Sequence, residues 1–265
     1  MARNIRNQIS AGVLRDGQPL PSTRDMAEEW GVSVFTINEA MKTLAEQGLV
    51  TSKPRAGRVV TAPDQAYRNE IRGAQPQVLL IGGYAGSGKT ELGRILARES
   101  GWPMLDKDTL TRPVVEAALE TLGCSPNDRE SETYISRIRP REYEALISAT
   151  LENLQCGNSV IATAPFIREF GDRAWISRVQ AQFSDLNANL SLVWVYCDME
   201  TMRTYIRQRG AARDASKIEN WETYSSALNI DFRPAVDHVV IDNSSSGSPL
   251  QKQARDLVNS LPSAG

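Results

Sequence analysis

Histidine is nearly missing from this sequence: among 265 residues there is one, His238. A metal site built on several imidazoles is therefore excluded, and a histidine-based triad has a single residue to draw on, set inside a strand-like run. Cysteine is almost as scarce. Cys124, Cys156 and Cys197 are scattered and odd in number, which suits neither zinc spacing nor a disulfide framework, and reduced cytosolic thiols are expected. No apolar run approaches membrane-spanning length, and the start, Met1 to Ile5, has no apolar signal core, so a cytoplasmic chain with no membrane partner is expected. An excess of one charge is lacking too. The net charge is −2 and the pI about 5.7, so overall charge does not advertise nucleic acid. The balance is uneven, however: residues 1 to 75 hold ten Lys/Arg against eight Asp/Glu, and the remainder twenty against twenty-four.

What is present suits ordinary globular domains. The chain is 41% hydrophobic and 23% charged, and its length fits one large or two ordinary domains. The expected division is a first domain over 1–62, a Pro- and Gly-containing linker over 63–77, and a second domain over 78–265.

The most informative stretch is Val78 to Thr90. An apolar run, Val78 to Ile81, reads as a buried parallel strand and ends in glycines. Gly83, Gly88, Lys89 and Thr90 fill the P-loop pattern G-x-x-x-x-G-K-[ST]. A triphosphate must lie against bare backbone so that several N–H groups can point at its oxygens, and the helix starting near Lys89 adds the positive end of its dipole. The expected cradle for ATP is Gly83, Gly86, Ser87, Gly88, Lys89 and Thr90. Lys89 is expected to bridge the outer phosphates and the Thr90 hydroxyl to ligand Mg²⁺. Leu92, Ile95 and Leu96 form the apolar stripe behind the loop, and Gly101 ends that helix.

Upstream, Ile5, Ile9 and Val13 recur at helical spacing. Ser22-Thr23-Arg24-Asp25 is a variant capping box for a short helix that turns Met26, Ala27 and Trp30 inward and stops at Gly31. Val32-Ser33 opens a longer helix with Ile37, Met41 and Leu44 on one face. Two alternating runs, Leu49 to Ser52 and Arg58 to Thr61, then flank a basic tip around Lys53-Pro54-Arg55-Ala56-Gly57. Helix, tight turn, helix and hairpin in this order, with Gly12-Val13-Leu14, Leu20-Pro21-Ser22-Thr23-Arg24, Gly31-Val32-Ser33, Thr36 and Gly48-Leu49-Val50, resemble the winged helix-turn-helix of the gluconate-repressor (GntR) family of bacterial transcription regulators. The resemblance implies that Arg24, Ser33 and Thr36 face operator DNA and that Gly57, with Arg55 and Arg58, sets the wing at the minor groove. Val34 and Asn38 stand where that family usually carries basic residues, and Glu39 follows.

Downstream, Trp102 to Leu105 reads as a short strand ending in Asp106-Lys107-Asp108, carboxylates at the edge where doubly wound sheets bind ligands. Asp106 and Asp108 could hold Mg²⁺, orient a substrate hydroxyl or act as base; the alternative is an N-cap for a helix begun by Thr111-Arg112-Pro113. Arg129, Arg137, Arg139 and Arg141 stud a polar segment and suit either an anion clamp or a solvated helical face. Further strands are expected at Ser159 to Ala164, Leu190 to Tyr196 and Val236 to Asn243, with His238 inside the last. The strand at 159–164 runs into Ala164-Pro165-Phe166, without the aspartate that often closes such a strand near Mg²⁺. The helix capped by Asp198 ends in Arg207, Arg209, Gly210, Arg213 and Asp214, cations beside a glycine hinge as a phosphoryl-transfer lid requires. From Val78 on, Gly83 to Thr90, Leu105 to Asp108, Arg209 to Asp214 and Asp237 to Asn243 resemble the P-loop kinases of small molecules, such as gluconate, adenylylsulfate and chloramphenicol kinases. That resemblance implies Arg209 and Arg213 as lid arginines and Asp106 or Asp108 as the residue that meets the acceptor.

The sequence thus predicts an α/β chain: a winged helix-turn-helix followed by a kinase-like P-loop domain with a five-stranded parallel sheet. The function it predicts is a homodimeric transcription regulator whose second domain binds ATP, alone or with a small metabolite, and alters operator affinity. The rival is an ATP-dependent small-molecule kinase whose winged helix localises it or assembles a dimer.

Overall fold

The computed structural model describes residues 1–54, 57–62, 75–210 and 214–262. The chain divides into two units, the second of which begins at Gln75.

In the first unit, α1 (Ala2–Ser10) buries Ile5 and Ile9. The capping box starts α2 (Thr23–Glu29): Ser22 Oγ accepts from Asp25 N at 3.2 Å, and Ser22 N donates back to the Asp25 carboxylate at 3.3 Å. Ser33 starts α3 (Val34–Glu46), which turns Ile37, Ala40, Met41 and Leu44 inward. Strands β1 (Val50–Lys53) and β2 (Gly57–Val60) pair antiparallel, Val50 opposite Val60, and close the wing over a core that also includes Met26 and Ala62. Every one of these turns carries its own local cap or apolar spacing, which is why the sequence predicts them closely.

The second unit is built on a parallel sheet of five strands. They are β3 (Gln77–Gly82), β4 (Met104–Asp106), β5 (Val160–Thr163), β6 (Asn189–Tyr196) and β7 (Val239–Asp242), in the order β4-β5-β3-β6-β7. All six residues of β3 are buried, because helices cover both faces. Leu79 and Ile81 pack on one face with Leu92 and Leu96 of α4 (Lys89–Ser100) and with Ala254 and Leu257 of α12 (Leu250–Ser260). Val78 and Leu80 pack on the other, with Leu146 of α6 (Arg139–Gln155), Phe183 of α8 (Arg173–Ser184) and Met202 of α9 (Met199–Arg209). Each of the larger side chains among these contributes about 1.5–3 kcal/mol on burial. The chain leaves β3 for one side of the sheet and returns to its other side at β6, so the carboxyl ends of β3, β5 and β6 frame the crevice at a topological switch point.

Two local expectations change. Helix α5 runs Lys107–Thr121, four residues earlier than the Thr111-Arg112-Pro113 start, with Asp106 as its N-cap and Pro113 inside it. His238 precedes β7 rather than lying within it, its Nδ1 2.8 Å from the Val236 carbonyl. A π-helical turn (Tyr134–Ile138) leads directly into α6, which begins at Arg139. The short helices α7 (Ile167–Gly171), α10 (Ala215–Glu219) and α11 (Trp221–Ala227) complete the unit. The expected linker lies mostly outside the described residues. No helix among the described residues is long and apolar enough to cross a membrane.

Candidate functional site

The loop 83–88 joins β3 to α4 at the crevice. Gly86 has φ +81°, and a Cβ there would fall 2.8 Å from the Met202 carbonyl oxygen and 2.6 Å from Ile206 Cγ1, so the loop lies against α9. Gly88, the N-cap of α4, has φ +93°, and its Cβ would meet Asn243 Nδ2 at 2.1 Å. That amide donates to the Ser87 carbonyl at 3.0 Å, so the residue just past β7 braces the loop. Gly83 N–H donates to the Pro165 carbonyl at 3.1 Å and ties the loop to the end of β5. Ser87 is turned inward: its side chain is fully buried and its N–H is donated to the Tyr84 carbonyl at 3.2 Å. Gly86, Gly88, Lys89 and Thr90 line the crevice; Ser87 and Gly83 shape it from behind. No side chain caps α4, which leaves its first-turn amides directed out of the helix N-terminus, the arrangement that suits an anion. Lys89 Nζ donates to the Tyr84 carbonyl, 3.2 Å away in the same loop.

β5 ends without an acid, and a carboxylate from the neighbouring strand lies beside its last residue. β5 ends in Thr163, whose hydroxyl donates to Asp106 Oδ2 at 2.7 Å, and the Thr90 hydroxyl donates to the same oxygen at 3.1 Å. Asp106 and Thr163 are paired in register across β4 and β5. The other oxygen, Oδ1, accepts from Thr109 N at 3.0 Å and caps α5. Asp106 is thus a helix cap through one oxygen, and its other oxygen gathers the Thr90 and Thr163 hydroxyls. A threonine hydroxyl beside one carboxylate is an oxygen set that fits Mg²⁺, which completes its shell with water and substrate phosphates. Among the described residues no group of three His, Cys, Asp or Glu side chains could form an all-protein cage.

Two cavities meet at this point. One, of about 670 Å³, holds the glycine loop, Thr90 and Asp106. The other, of about 350 Å³, is lined by Tyr84, Arg129, Tyr134, Arg139, Lys217 and Tyr224 among others. Lys89, Lys107, Asp108, Pro165 and Arg209 border both. Asp108 sits 2.9 Å from Lys107 Nζ, and Lys107, 4% exposed, also donates to Glu142 at 2.6 Å. Glu142 in turn accepts from the Thr111 hydroxyl at 2.9 Å and the Tyr134 hydroxyl at 2.6 Å. Burial first, and the Glu142 carboxylate second, push the Tyr134 hydroxyl well above its ordinary range, so it stays a donor.

Of the four arginines in the polar segment, Arg129 and Arg139 line the second cavity, while Arg141 pairs with Glu144 on the outside. Arg139 makes two parallel bonds to Glu169, at 2.7 and 2.8 Å, and its guanidinium lies 4.4 Å from the Tyr143 ring centre. Burial alone would lower the Arg139 pKa; the bonds to Glu169 and the neighbouring charges outweigh it and raise it. One pair of these arginines therefore faces a cavity, and Arg137 and Arg141 face solvent.

At the lid, α9 ends at Arg209 and Gly210 turns the chain with φ +57°. Arg209 Nε donates to Asp214 at 2.9 Å, Arg209 Nη2 bonds the same oxygen, and Lys217 Nζ donates to the other at 3.1 Å. Asp214 is 1% exposed; burial raises its pKa, but the charges of Arg209 and Lys217 prevail and hold it below the usual range. Burial and the Asp214 charge push the Tyr224 hydroxyl up to about 12. Arg213 lies outside the described residues. Lys107 and Asp214 lie inside the quoted motifs without a role assigned to them, and Glu142 carries no motif at all; an acidic residue on the inward face of a helix start was the available signal for Glu142.

In the first unit, Arg24 and Thr36 are exposed, and Ser33 caps α3 by accepting from Thr36 N at 3.1 Å. Arg58 does not extend from the wing tip. It is half-buried and donates to Thr23 Oγ1 at 3.2 Å and to Asn38 Oδ1 at 3.0 Å, spanning the start of α2 and the side of α3. Gly57 opens β2 with φ +71°, and Arg55 lies outside the described residues.

Comparison with known proteins gives two matches along the chain. A family model described as bacterial regulatory proteins, gntR family, matches residues 1–60, and a model for the AAA domain matches residues 78–228. The HTH-type transcriptional regulator GgaR of Escherichia coli (strain K12) is 36% identical over 81 residues, 31% of this chain and 33% of GgaR. The HTH-type transcriptional repressor NagR of Bacillus subtilis (strain 168) is 36% identical over 59 residues, 22% of this chain and 24% of NagR. The chain thus spans only a third or less of the length of these curated relatives. Among solved structures, a protein from Chloroflexus aurantiacus described as a candidate kinase aligns with TM-score 0.53 at 19% identity, over 71% of this chain and 100% of that one, which establishes a shared fold.

Proposed function

Since the chain belongs to the AAA domain family over residues 78–228 and carries a gntR-family regulatory domain over residues 1–60, we propose that it is a DNA-binding transcription regulator whose P-loop domain binds ATP with Mg²⁺ and thereby modulates operator affinity. The observation that carries the nucleotide half is the Thr90 hydroxyl and Asp106 carboxylate meeting at 3.1 Å beside a glycine loop. In this reading Gly86, Gly88 and the first turn of α4 receive the phosphates, Lys89 turns from the Tyr84 carbonyl to the outer phosphates, and Thr90 with Asp106 holds Mg²⁺. The metal would neutralise charge on the β- and γ-phosphates. Gly83 and Ser87 keep the loop closed. Arg24, Ser33, Thr36, Gly57, Arg55 and Arg58 form the operator face, and two chains bind a pseudo-palindrome as a homodimer. Coupling is expected because the first unit leads directly into β3, the strand that ends in the cradle.

The test is operator affinity with and without saturating ATP–Mg²⁺ at fixed ionic strength, which removes screening by added salt. A shift of about 5–150-fold is the usual range, and operator must change ATP affinity by the same factor. Lys89→Ala should abolish both ATP binding and the shift. Equal operator affinity in all conditions would separate the domains.

A second reading, a kinase acting on a small acceptor, is favoured by one observation: Asp108 stands at the junction of the two cavities, 2.9 Å from the Lys107 ammonium. There Asp108 would take the proton of an acceptor hydroxyl in the second cavity as its oxygen accepts the γ-phosphoryl group and ADP leaves, with Arg209 over the phosphates. ADP release from ATP across a panel of hydroxylated metabolites tests this; release no faster than in Asp108→Asn for every member would exclude it.

A further inference from the structure

The outward face of α3 carries two large apolar side chains in its first turn. Phe35 is 73% exposed and Val34 44% exposed, while Ile37, Ala40, Met41 and Leu44 hold the helix to its core. The polar groups beside them are already engaged. Ser33 Oγ accepts the Thr36 N–H, and the two hydroxyls share a hydrogen bond of 2.8 Å. Asn38 Oδ1 accepts from Arg58 at 3.0 Å, so the paired oxygen-and-amide contact by which an asparagine reads adenine would first require Arg58 to let go. Arg58 of the wing touches α3 through Asn38 and α2 through Thr23, and Arg24 is exposed on α2, a charge pattern that fits phosphate rather than an apolar protein face.

We infer that Val34 and Phe35 read thymine: the exposed pair on the first turn of α3 packs against 5-methyl groups, the apolar feature that the major groove of duplex DNA presents. The inference rests on the regulator reading and adds to it the base class that α3 selects. It also gives a role to the position where a cation is missing. An apolar side chain there cannot pair with guanine O6 and N7, but it can exclude water from a thymine methyl.

The test uses the full chain. Duplexes with a randomised core are enriched by binding, and each thymine of the enriched site is then replaced singly by deoxyuridine, which removes only the methyl group. The expected result is a thymine fixed in the site at which deoxyuridine weakens binding about fourfold, the equivalent of ~0.8 kcal/mol for one buried carbon. Phe35→Ala should bind the thymine and deoxyuridine duplexes equally while keeping the salt dependence of the wild type, because no phosphate contact is lost. Since Phe35 is exposed, this variant is expected to fold. The inference is overturned if no single deoxyuridine changes affinity, or if Phe35→Ala still discriminates thymine from deoxyuridine. A Phe35→Ala variant that loses dimerisation by light scattering yet keeps thymine preference would make the pair a protein contact instead. Enrichment of no duplex at all would overturn the regulator reading, and this inference with it.

Discussion

Replacing Gly88 by alanine perturbs the cradle in two separable ways. The backbone there has φ +93°, and holding an L-residue in a left-handed conformation costs about 1–2 kcal/mol. The new Cβ would also lie 2.1 Å from Asn243 Nδ2. Because that atom ends a side chain, it can swing aside, but doing so gives up its 3.0 Å bond to the Ser87 carbonyl, worth about 1 kcal/mol. Gly88→Ala should therefore destabilise the second unit by about 2–3 kcal/mol, and Asn243→Ala by about 1 kcal/mol. The two effects overlap, since each removes the same hydrogen bond. The double variant should lose about 2–3 kcal/mol, leaving a coupling of about 1 kcal/mol between the sites. Urea unfolding followed by tryptophan fluorescence measures this, since four of the five tryptophans, Trp102, Trp175, Trp194 and Trp221, belong to the second unit. Additive losses in the double variant would refute the reasoning, because Asn243 would then not be what the Cβ displaces.

Three further outcomes follow from the geometry. Lys107→Met leaves Glu142, itself 3% exposed, buried without its cation and should cost about 3–5 kcal/mol in urea unfolding at neutral pH; a loss below about 1 kcal/mol would mean the pair is not buried as described. Asp214 has a folded-state pKa below its unfolded value of about 3.9, so its pairing with Arg209 and Lys217 adds stability that is present above that value and disappears as pH falls through the depressed one. Thermal melts of Asp214→Asn should accordingly show a shallower loss below about pH 4 than the wild type, and equally steep acid profiles would contradict the assignment. Arg58→Ala removes the contacts to Thr23 and Asn38 and should weaken DNA binding while lowering the salt slope by about 1; an unchanged slope would show that Arg58 meets no phosphate.

Much of this protein is written in neighbouring residues. The capping pairs Ser22 with Asp25 and Ser33 with Thr36, and the Asp198 cap of α9, each act within three positions, so the sequence alone locates these helix starts. The same holds for the continuous apolar run of β3 and the glycine spacing of the loop after it, whose backbone needs are local. Pro113 misleads for a physical reason. Proline favours a first helical turn, but Asp106 caps α5 further upstream, so Pro113 falls in the second turn, where the helix gives up the bond its N–H would make and accommodates its ring.

What only the tertiary structure decided is how distant polar groups share atoms. Thr90 and Thr163 converge on one oxygen of Asp106 from positions 16 and 57 residues away, which puts an acid at the crevice although β5 ends without one. Lys107 meets Glu142 across 35 residues, Arg139 meets Glu169 across 30, and Asn243 braces Ser87 across 156. Charge type and local spacing cannot reveal such pairs, because a lysine or glutamate on a helix is solvated unless another element covers it. Burial then makes the partner obligatory, since an uncompensated charge away from water costs several kcal/mol. The sequence determined the two domains and the glycine loop through local backbone requirements; the packing of α5, α6 and the end of α9 around that loop decided which charged side chains face the cavities and which hold one another in place.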